Sequence, residues 1–283
     1  MNSIRKTGTE NNIFGDNVAF VEKWDFSQAN LNEENRIRAI TQVASICYQS
    51  PKALGSETLY NRLMAESMGL PSSSFEFVGV LLDNQKKEHV EVLASATSNA
   101  RKYGEEINDR YFLTNYRALV YDYENSPGDY SFDIRKIFNS KDECDIIRKN
   151  YKVYLYKIDL PTRSQSVRHR IHWQELSRRY VSGKRVPFEF YVSDKMNKVK
   201  SEHGTTDEVI GACVDHYFAA IESGVKPEEA RRIIPQAAYT QIWGGFLPTP
   251  LENFFKLRLD KHAQKEIRYT AEAMKRLNEK ESE

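Results

Sequence analysis

The sequence predicts an α+β fold in which a mixed or antiparallel sheet is flanked by helices. Segments with strand character lie in the first two thirds of the chain, namely "FEFVGVLL", "EVLASAT", "YKVYLYKIDL" and "VPFEFYV". Amphipathic helical patterns occur throughout, and no internal repeat or low-complexity tract separates them. With 283 residues and 40% hydrophobic content, the chain is long enough to build a substantial core.

The N-terminal half predicts two helices followed by two strands. Residues 1–15 are polar, and we expect a flexible arm there, ahead of a single domain over residues 16–283. Asn32 is placed to cap a first helix, and Ser56 is placed to cap a second helix that stops at Gly69. The strands "FEFVGVLL" and "EVLASAT" follow, joined by the polar "DNQKKEH". Residues 84–150 are expected to be an insertion, tyrosine-rich and polar from about residue 98.

A strand followed by a helix is predicted after the insertion. "YKVYLYKIDL" has strand character and is broken by Pro161, after which Thr162 or Ser164 can cap a helix in "TRSQSVRHR". "VPFEFYV" then predicts another strand.

The C-terminal third is predicted to be helical. Thr205 and Glu208 have the spacing of a capping box, and Gly224 closes the helix that they begin. A short helix is expected in "KPEEARRII". In "TPLE", Thr249 is expected to be the cap and Pro250 the first helical residue.

Charge and composition limit the possible functions. The chain has 41 Lys and Arg against 40 Asp and Glu, a net charge of +1, so it is not built as a whole to bind nucleic acid or a membrane surface. We expect no membrane span and no signal peptide, and therefore a cytoplasmic location. Three widely spaced cysteines indicate neither a disulfide framework nor a metal site. Cys47 and Cys213 fall on apolar helical faces, where an inert buried thiol is favoured.

The segment "SVRHRIHWQELSRRY" concentrates positive charge and predicts an anion site. On a helix, four side chains at spacings of three and four would share one face: Gln165, Arg168, His169 and His172. If the chain is extended beyond them, alternation places three groups on one side: Glu175, Ser177 and Arg179. Guanidinium, hydroxyl and carboxylate groups together suit a nucleotide.

Two other interpretations of this segment stay open. It can be a solvated basic face, or a nucleic-acid-binding strip in which basic residues alternate with Trp173 and Tyr180. The near-neutral chain argues against the second.

A second cation interrupts an apolar helical stripe near the C-terminus. Leu251, Phe254, Phe255, Arg258 and His262 fall on one side of the helix that "TPLE" begins. An arginine in such a stripe either extends to the surface or meets a buried anion.

These segments carry a resemblance to a known family. "RHRIHWQELSRRY" resembles the signature of the flavin-dependent thymidylate synthases, the ThyX family, in which Arg-His-Arg is followed by seven residues, Ser and then Arg-Tyr. "IIPQAAYTQIW" and "LENFFKLRLDKHAQKEIRYTAEA" resemble the family's proline-containing segment and its Leu-Arg-x-Asp-x-His-Ala-Gln helix, in the same order. The resemblance implies a ThyX-like domain that forms a homotetramer with active sites shared between subunits.

The resemblance also implies an activity. It is the FAD-dependent synthesis of dTMP from dUMP, with methylenetetrahydrofolate as one-carbon donor and NADPH as reductant. The ordinary thymidylate synthase instead attacks uracil with a cysteine in a Pro-Cys context, which none of the three cysteines has. The open alternative is a divergent flavin and pyrimidine-nucleotide enzyme with altered one-carbon chemistry.

The resemblance assigns roles residue by residue and implies no metal. Arg258 would be the catalytic cation that favours ionisation of uracil N3. The implied contacts with dUMP are Gln165, Arg168, Glu175, Ser177, Arg179, Arg231 and Arg258. The implied contacts with FAD are Ser73, Glu76, Arg168, His169, Arg170, Glu175, Asn253 and His262.

The sequence departs from the family pattern at three points. Six residues, not seven, separate Arg170 from Ser177. "FLPTP" stands where the family has Asn-x-Arg, and "LPSSSFE" replaces the family's His-x-Thr-Pro-Phe-Glu loop. The insertion carries Asn115 and Arg117 at the spacing of the missing Asn-x-Arg, which suggests a substitute.

Overall fold

A computed structural model describes residues 4–15, 17–50, 53–65, 71–95 and 98–280. The strands in these ranges are β1 (Arg5–Asn11), β2 (Phe20–Asp25), β3 (Gly79–Asp83), β4 (Glu105–Glu106), β5 (Tyr111–Asn115), β6 (Lys152–Asp159), β7 (His172–Glu175), β8 (Lys200–Ser201), β9 (Gly204–Thr205) and β10 (Tyr239–Phe246). The α-helices are α1 (Glu33–Tyr48), α2 (Glu57–Met64), α3 (Lys87–Ala94), α4 (Asn99–Lys102), α5 (Tyr116–Asn125), α6 (Lys141–Asn150), α7 (Leu160–Ser166), α8 (Asp194–Asn197), α9 (Thr206–Glu222), α10 (Pro227–Ala230), α11 (Pro248–Arg258) and α12 (Lys265–Glu279).

The larger sheet is antiparallel and has the strand order β1-β2-β6-β10-β7. One face packs against α1, where Ile40 and Val43 lie in the same buried cluster as Val153 and Trp243. The opposite face packs against α11 and α12, where Tyr156 and Phe246 share a cluster with Phe254 and Met274. The predicted α+β class with an antiparallel sheet flanked by helices is confirmed.

A smaller sheet joins part of the expected insertion, β4 and β5, to β3. Its order is β3-β5-β4, again antiparallel, so residues on both sides of position 84 belong to one sheet. Helix α6 packs against β3, and its Ile147 joins the cluster formed with α1. The segment from residue 98 to 150 is therefore packed onto the main core.

Three helix starts predicted from the sequence are confirmed. Each could be predicted because the capping side chain bonds to a residue only three positions further along the chain. Asn32 accepts from the backbone N–H of Asn35, and Ser56 accepts from that of Leu59. Thr205 forms a reciprocal capping box with Glu208. The predicted end of the second helix, Gly69, lies outside the described residues.

Two predictions in the N-terminal half are wrong. Residues Arg5–Asn11, within the expected flexible arm, pair with Phe20–Asp25 as the edge strand of the larger sheet. The segment expected as the strand "EVLASAT" lies largely in α3, since His89 and Val92, three residues apart, are both buried. His89 Nδ1 also accepts from the backbone N–H of Asp83 at 2.9 Å, which ties the helix to β3.

Two predictions in the C-terminal half also need correction. "VPFEFYV" is not a strand of the larger or the smaller sheet and forms only one bridge, between Phe190 and Ala238, the residue just before β10. Helix α11 begins at Pro248, so Thr249 is not its cap. The backbone N–H of Thr249 instead donates to Glu105 of β4 at 3.2 Å. Within the described ranges, no helix has the length and apolar character needed to cross a bilayer.

Candidate functional site

The basic segment does not form the single helix face that the sequence predicts. Asp159 caps α7 by accepting from the backbone N–H of Thr162, so the helix begins at Leu160, upstream of the expected start. It ends at Ser166, and His172 already belongs to β7. The predicted common face of Gln165, Arg168, His169 and His172 is therefore wrong, because the chain must turn back after α7 to pair with β10.

Tertiary contacts bring the two predicted cationic features together. Arg258 donates from Nε to Nε2 of His169 at 2.8 Å and from Nη2 to the carbonyl oxygen of Gln165 at 3.2 Å. His169 is 8% exposed and lies edge-on to Phe254. Burial, and then the charge of Arg258, lower the pKa of His169 to about 4. The imidazole is thus neutral at pH 7 and able to accept this hydrogen bond.

Five predicted site residues line one cavity of about 500 Å³, which we call the arginine cavity. These residues are Arg168, His169, Arg170, Asn253 and Arg258. The rest of the lining is Ile171, Thr249, Pro250 and Leu257, without an acidic residue. The pKa of Arg258 is lowered by burial and by the nearby charge of Arg168. Unbalanced positive charge beside apolar groups suits a planar ligand that carries negative charge.

Glu175 lies in a different cavity, of about 250 Å³, which we call the Glu175 cavity. Arg163 donates to Glu175 Oε2 at 2.9 Å, and Thr240 donates to Oε1 at 2.9 Å. Arg231, which the sequence resemblance assigns to the nucleotide, also lines this cavity. The Tyr239 hydroxyl is buried here and has no partner among the described residues. Arg163 and Tyr239 were missed because Arg163 meets Glu175 only when α7 packs beside β7, and the burial of the Tyr239 hydroxyl is set by tertiary packing.

Ser177 and Arg179 do not lie on the same side of an extended strand as Glu175. β7 ends at Glu175, and the backbone N–H groups of Tyr180 and Val181 both donate to the carbonyl oxygen of Ser177, which closes a turn. Arg179 is exposed and donates to Glu228 at 3.1 Å. The predicted alternation is therefore wrong, since extended geometry stops where pairing with β10 stops.

Ser73 and Glu76 lie on a 3-10 turn, Ser73–Phe77, that contacts β7. Ser73 hydrogen-bonds to Gln174. Glu76 pairs with Nδ1 of His172 at 3.3 Å and with Nη1 of Arg117 at 2.7 Å. Burial alone would raise the pKa of Glu76, but the bonds to His172 and Arg117 outweigh it and hold that pKa below the usual value.

Glu76 borders a third cavity, of about 320 Å³, which we call the Arg117 cavity. Its lining comes from the turn at Glu76 and from the insertion: Glu76, Asn99, Lys102, Tyr103, Asn115, Arg117, Ala118 and Tyr121. The sequence singled out only Asn115 and Arg117 of the insertion. Asn115 caps α5, and Arg117 pairs with Glu76.

Two predicted residues stand apart from these cavities. Helix α11 ends at Arg258, so His262 does not share its face; it is exposed and bonds to Asp260 at 2.8 Å. Gln165 bonds to Gln264 at the start of α12. Among the described residues, no group of three or more His, Cys, Asp or Glu side chains is arranged to hold a metal ion.

None of the three cysteines, all of which lie in the described ranges, forms a disulfide bond. Cys144 is buried, and burial raises the pKa of its thiol to about 11. Cys47 is only half-buried and accepts a hydrogen bond from the Gln174 side chain at 2.7 Å, while Cys213 is half-buried on α9. The expected burial therefore fails for Cys47 and Cys213.

The sequence comparisons all match proteins named for thymidylate synthesis. A family model described as thymidylate synthase complementing protein matches residues 130–282. Flavin-dependent thymidylate synthases from Geobacter sulfurreducens and Pyrococcus furiosus are 36% identical over 114 residues and 34% identical over 110 residues. These matches cover 40% and 38% of this chain and 49% and 45% of the relatives. The chain thus spans about half the length of the curated relatives it matches.

Among solved structures, a UMP/dUMP methylase PolB from Streptomyces cacaoi, bound with 5-Br UMP, is 23% identical with a TM-score of 0.39. The likeness covers 46% of this chain and 69% of that chain.

Proposed function

We propose that this chain, which belongs to the thymidylate synthase complementing protein family, converts dUMP to dTMP with a bound FAD. Methylenetetrahydrofolate donates the carbon and NADPH is the reductant. The enzyme acts as a cytoplasmic homotetramer with active sites shared between subunits. Flavin-dependent thymidylate synthases are the curated relatives that support this activity.

The contact between Arg258 and His169 carries the proposal. This contact joins the Arg-His-Arg segment to α11, although His169 and Arg258 are 89 positions apart in sequence. It holds the Arg258 guanidinium at the wall of the arginine cavity. His169 fixes the Nε edge of the guanidinium, and the Gln165 carbonyl fixes one Nη2 hydrogen. The cation so held stabilises negative charge on a uracil ring whose N3 has lost its proton.

The residues of the arginine cavity fit FAD. Its arginines and Asn253 supply donors for phosphate and for ring carbonyl groups, and Ile171, Pro250 and Leu257 supply apolar surface for a planar ring. When bound, FAD supplies the hydride that completes the methyl group. The chain's own part is to bind and orient both molecules beside positive charge.

The Glu175 cavity is suited to part of dUMP. Arg231 can bind the phosphate, while Glu175, held by Arg163 and Thr240, and the Tyr239 hydroxyl can bind sugar or base groups. The surface of α9 supports the proposal that another subunit completes the site. Along the 17 residues of α9, only Tyr217 is buried, and Val209 is 40% exposed, so an apolar helix face is available for a subunit contact.

The nucleic-acid alternative is disfavoured by the position of Trp173. Its ring packs against Tyr156 and Phe246, and its Nε1 donates to the carbonyl oxygen of His169 at 3.2 Å. A tryptophan turned into the core is no platform for stacking bases.

The test is dTMP formation by the purified protein. Flavin absorbance should accompany the protein, and dUMP with methylenetetrahydrofolate and NADPH should give dTMP. Arg258→Ala should lower turnover by roughly a hundred- to a thousandfold, the usual effect of removing one electrostatic contact to the transition state. Arg276→Ala, at an exposed position of α12, is the matched control and should keep full turnover. Unchanged dTMP formation by Arg258→Ala would overturn the proposal.

A further inference from the structure

We propose that the Arg117 cavity binds the adenosine monophosphate end of FAD, through Lys102 and Arg117 of the insertion. This inference rests on the proposed function and assigns part of the cofactor site to residues outside the stretch that matches the family model, 130–282.

The cavity carries positive charge and free donors. Lys102 is exposed and has no acidic partner among the described residues. Arg117 uses Nε on the Pro71 carbonyl oxygen and Nη1 on Glu76, which leaves Nη2 available. Asn115 is 2% exposed, and its Oδ1 caps α5, but its Nδ2 donates to none of the described residues. Asn115 and Arg117 lie at the positive end of α5, and with Lys102 on the wall of the same cavity they suit phosphate oxygens.

Two contacts place this cavity beside the arginine cavity. Glu76 on its wall pairs with His172, two residues after Arg170 of the arginine cavity. Thr249, also on the wall of the arginine cavity, bonds through its backbone N–H to Glu105, three residues after Lys102. One elongated ligand can therefore extend from one cavity into the other.

The proposed reaction determines which end of FAD occupies which cavity. The reacting flavin ring must lie beside the pyrimidine that Arg258 binds, so it occupies the arginine cavity. The adenosine end then extends toward Lys102 and Arg117, where Tyr103 and Tyr121 are 49% and 37% exposed and offer ring faces to an adenine. Thr249 lies in the "FLPTP" that stands in place of the family's Asn-x-Arg, so the insertion docks where those side chains are missing.

The test compares FAD with FMN, which lacks the adenosine monophosphate part. Both are titrated into flavin-free protein by calorimetry. Lys102→Gln should weaken FAD binding roughly tenfold, in line with a lost bond to a charged group, and should change FMN binding less than twofold. Tyr103→Ala should act in the same direction. The matched control is Lys149→Gln, an exposed lysine of α6, which should change neither affinity.

The titrations distinguish failure of this inference from failure of the proposed function. Selective loss of FAD affinity in Lys102→Gln supports the inference. If Lys102→Gln and Tyr103→Ala bind FAD as the parent does, or lose FAD and FMN equally, the inference is wrong while the proposed function stands. If the parent protein binds neither flavin, the proposed function itself fails.

Discussion

Acid should destabilise the flavin-free protein through His169, and a His169→Phe variant should lack that part of the pH dependence. Burial and the charge of Arg258 lower the folded-state pKa of His169 from its ordinary value of 6.5 to about 4. Below about pH 6.5 the unfolded chain binds a proton that the folded chain does not. Stability due to neutral His169 is therefore fully present above pH 6.5 and is lost as the pH falls toward 4.

The magnitude follows from the size of the pKa change. Each pKa unit corresponds to about 1.4 kcal/mol, so the full shift from 6.5 to about 4 would be worth at most about 3.5 kcal/mol. His169 lies on the wall of a cavity that is open to water, and water screens part of the penalty. We expect about 1 to 2 kcal/mol between pH 7 and pH 4.5.

The assay is urea unfolding of both proteins at several pH values between 7.5 and 4.5. Phenylalanine can keep the edge-on contact with Phe254, 4.8 Å between ring centroids, but cannot be protonated. The absolute stability of the variant can differ because Arg258 loses its acceptor, so the compared quantity is the change in stability with pH. Other groups titrate equally in both proteins and cancel. His203→Gln, at an exposed position, should follow the parent. If His169→Phe loses as much stability as the parent on acidification, the reasoning is refuted.

Three further predictions concern packing, capping and the thiols. Gly244→Ala would place a Cβ 2.8 Å from Cζ3 of Trp173, so urea unfolding should show a loss of about 1 to 3 kcal/mol, whereas Gly211→Ala, with open space at its Cβ, should show none. Ser140→Ala removes the side-chain acceptor of the capping box of α6 and should cost about 1 kcal/mol in the same assay; an unchanged midpoint would contradict the capping argument. Replacing all three cysteines by serine should leave dTMP formation intact, because no thiol has a covalent role; a folded variant that binds flavin but makes no dTMP would point to a cysteine nucleophile.

The sequence by itself determined the features that depend on neighbours along the chain. The caps at Asn32 and Ser56 and the box formed by Thr205 and Glu208 each join residues three apart, so spacing alone predicts them. The family segments are also contiguous, which is why the resemblance and its candidate residues were readable. The unusual position of Arg258 in an apolar stripe was visible in the same way.

Only the tertiary structure decided where those candidates lie. The contact of Arg258 with His169 spans 89 positions, and that of Arg117 with Glu76 spans 41, distances at which periodicity carries no information. Pairing with β10 decided that α7 stops at Ser166 and that extended structure stops at Glu175, which separated Ser177 and Arg179 from the other candidates. Local preference was overruled there because a strand is stabilised by partners from distant parts of the chain, which the sequence of the strand itself does not specify.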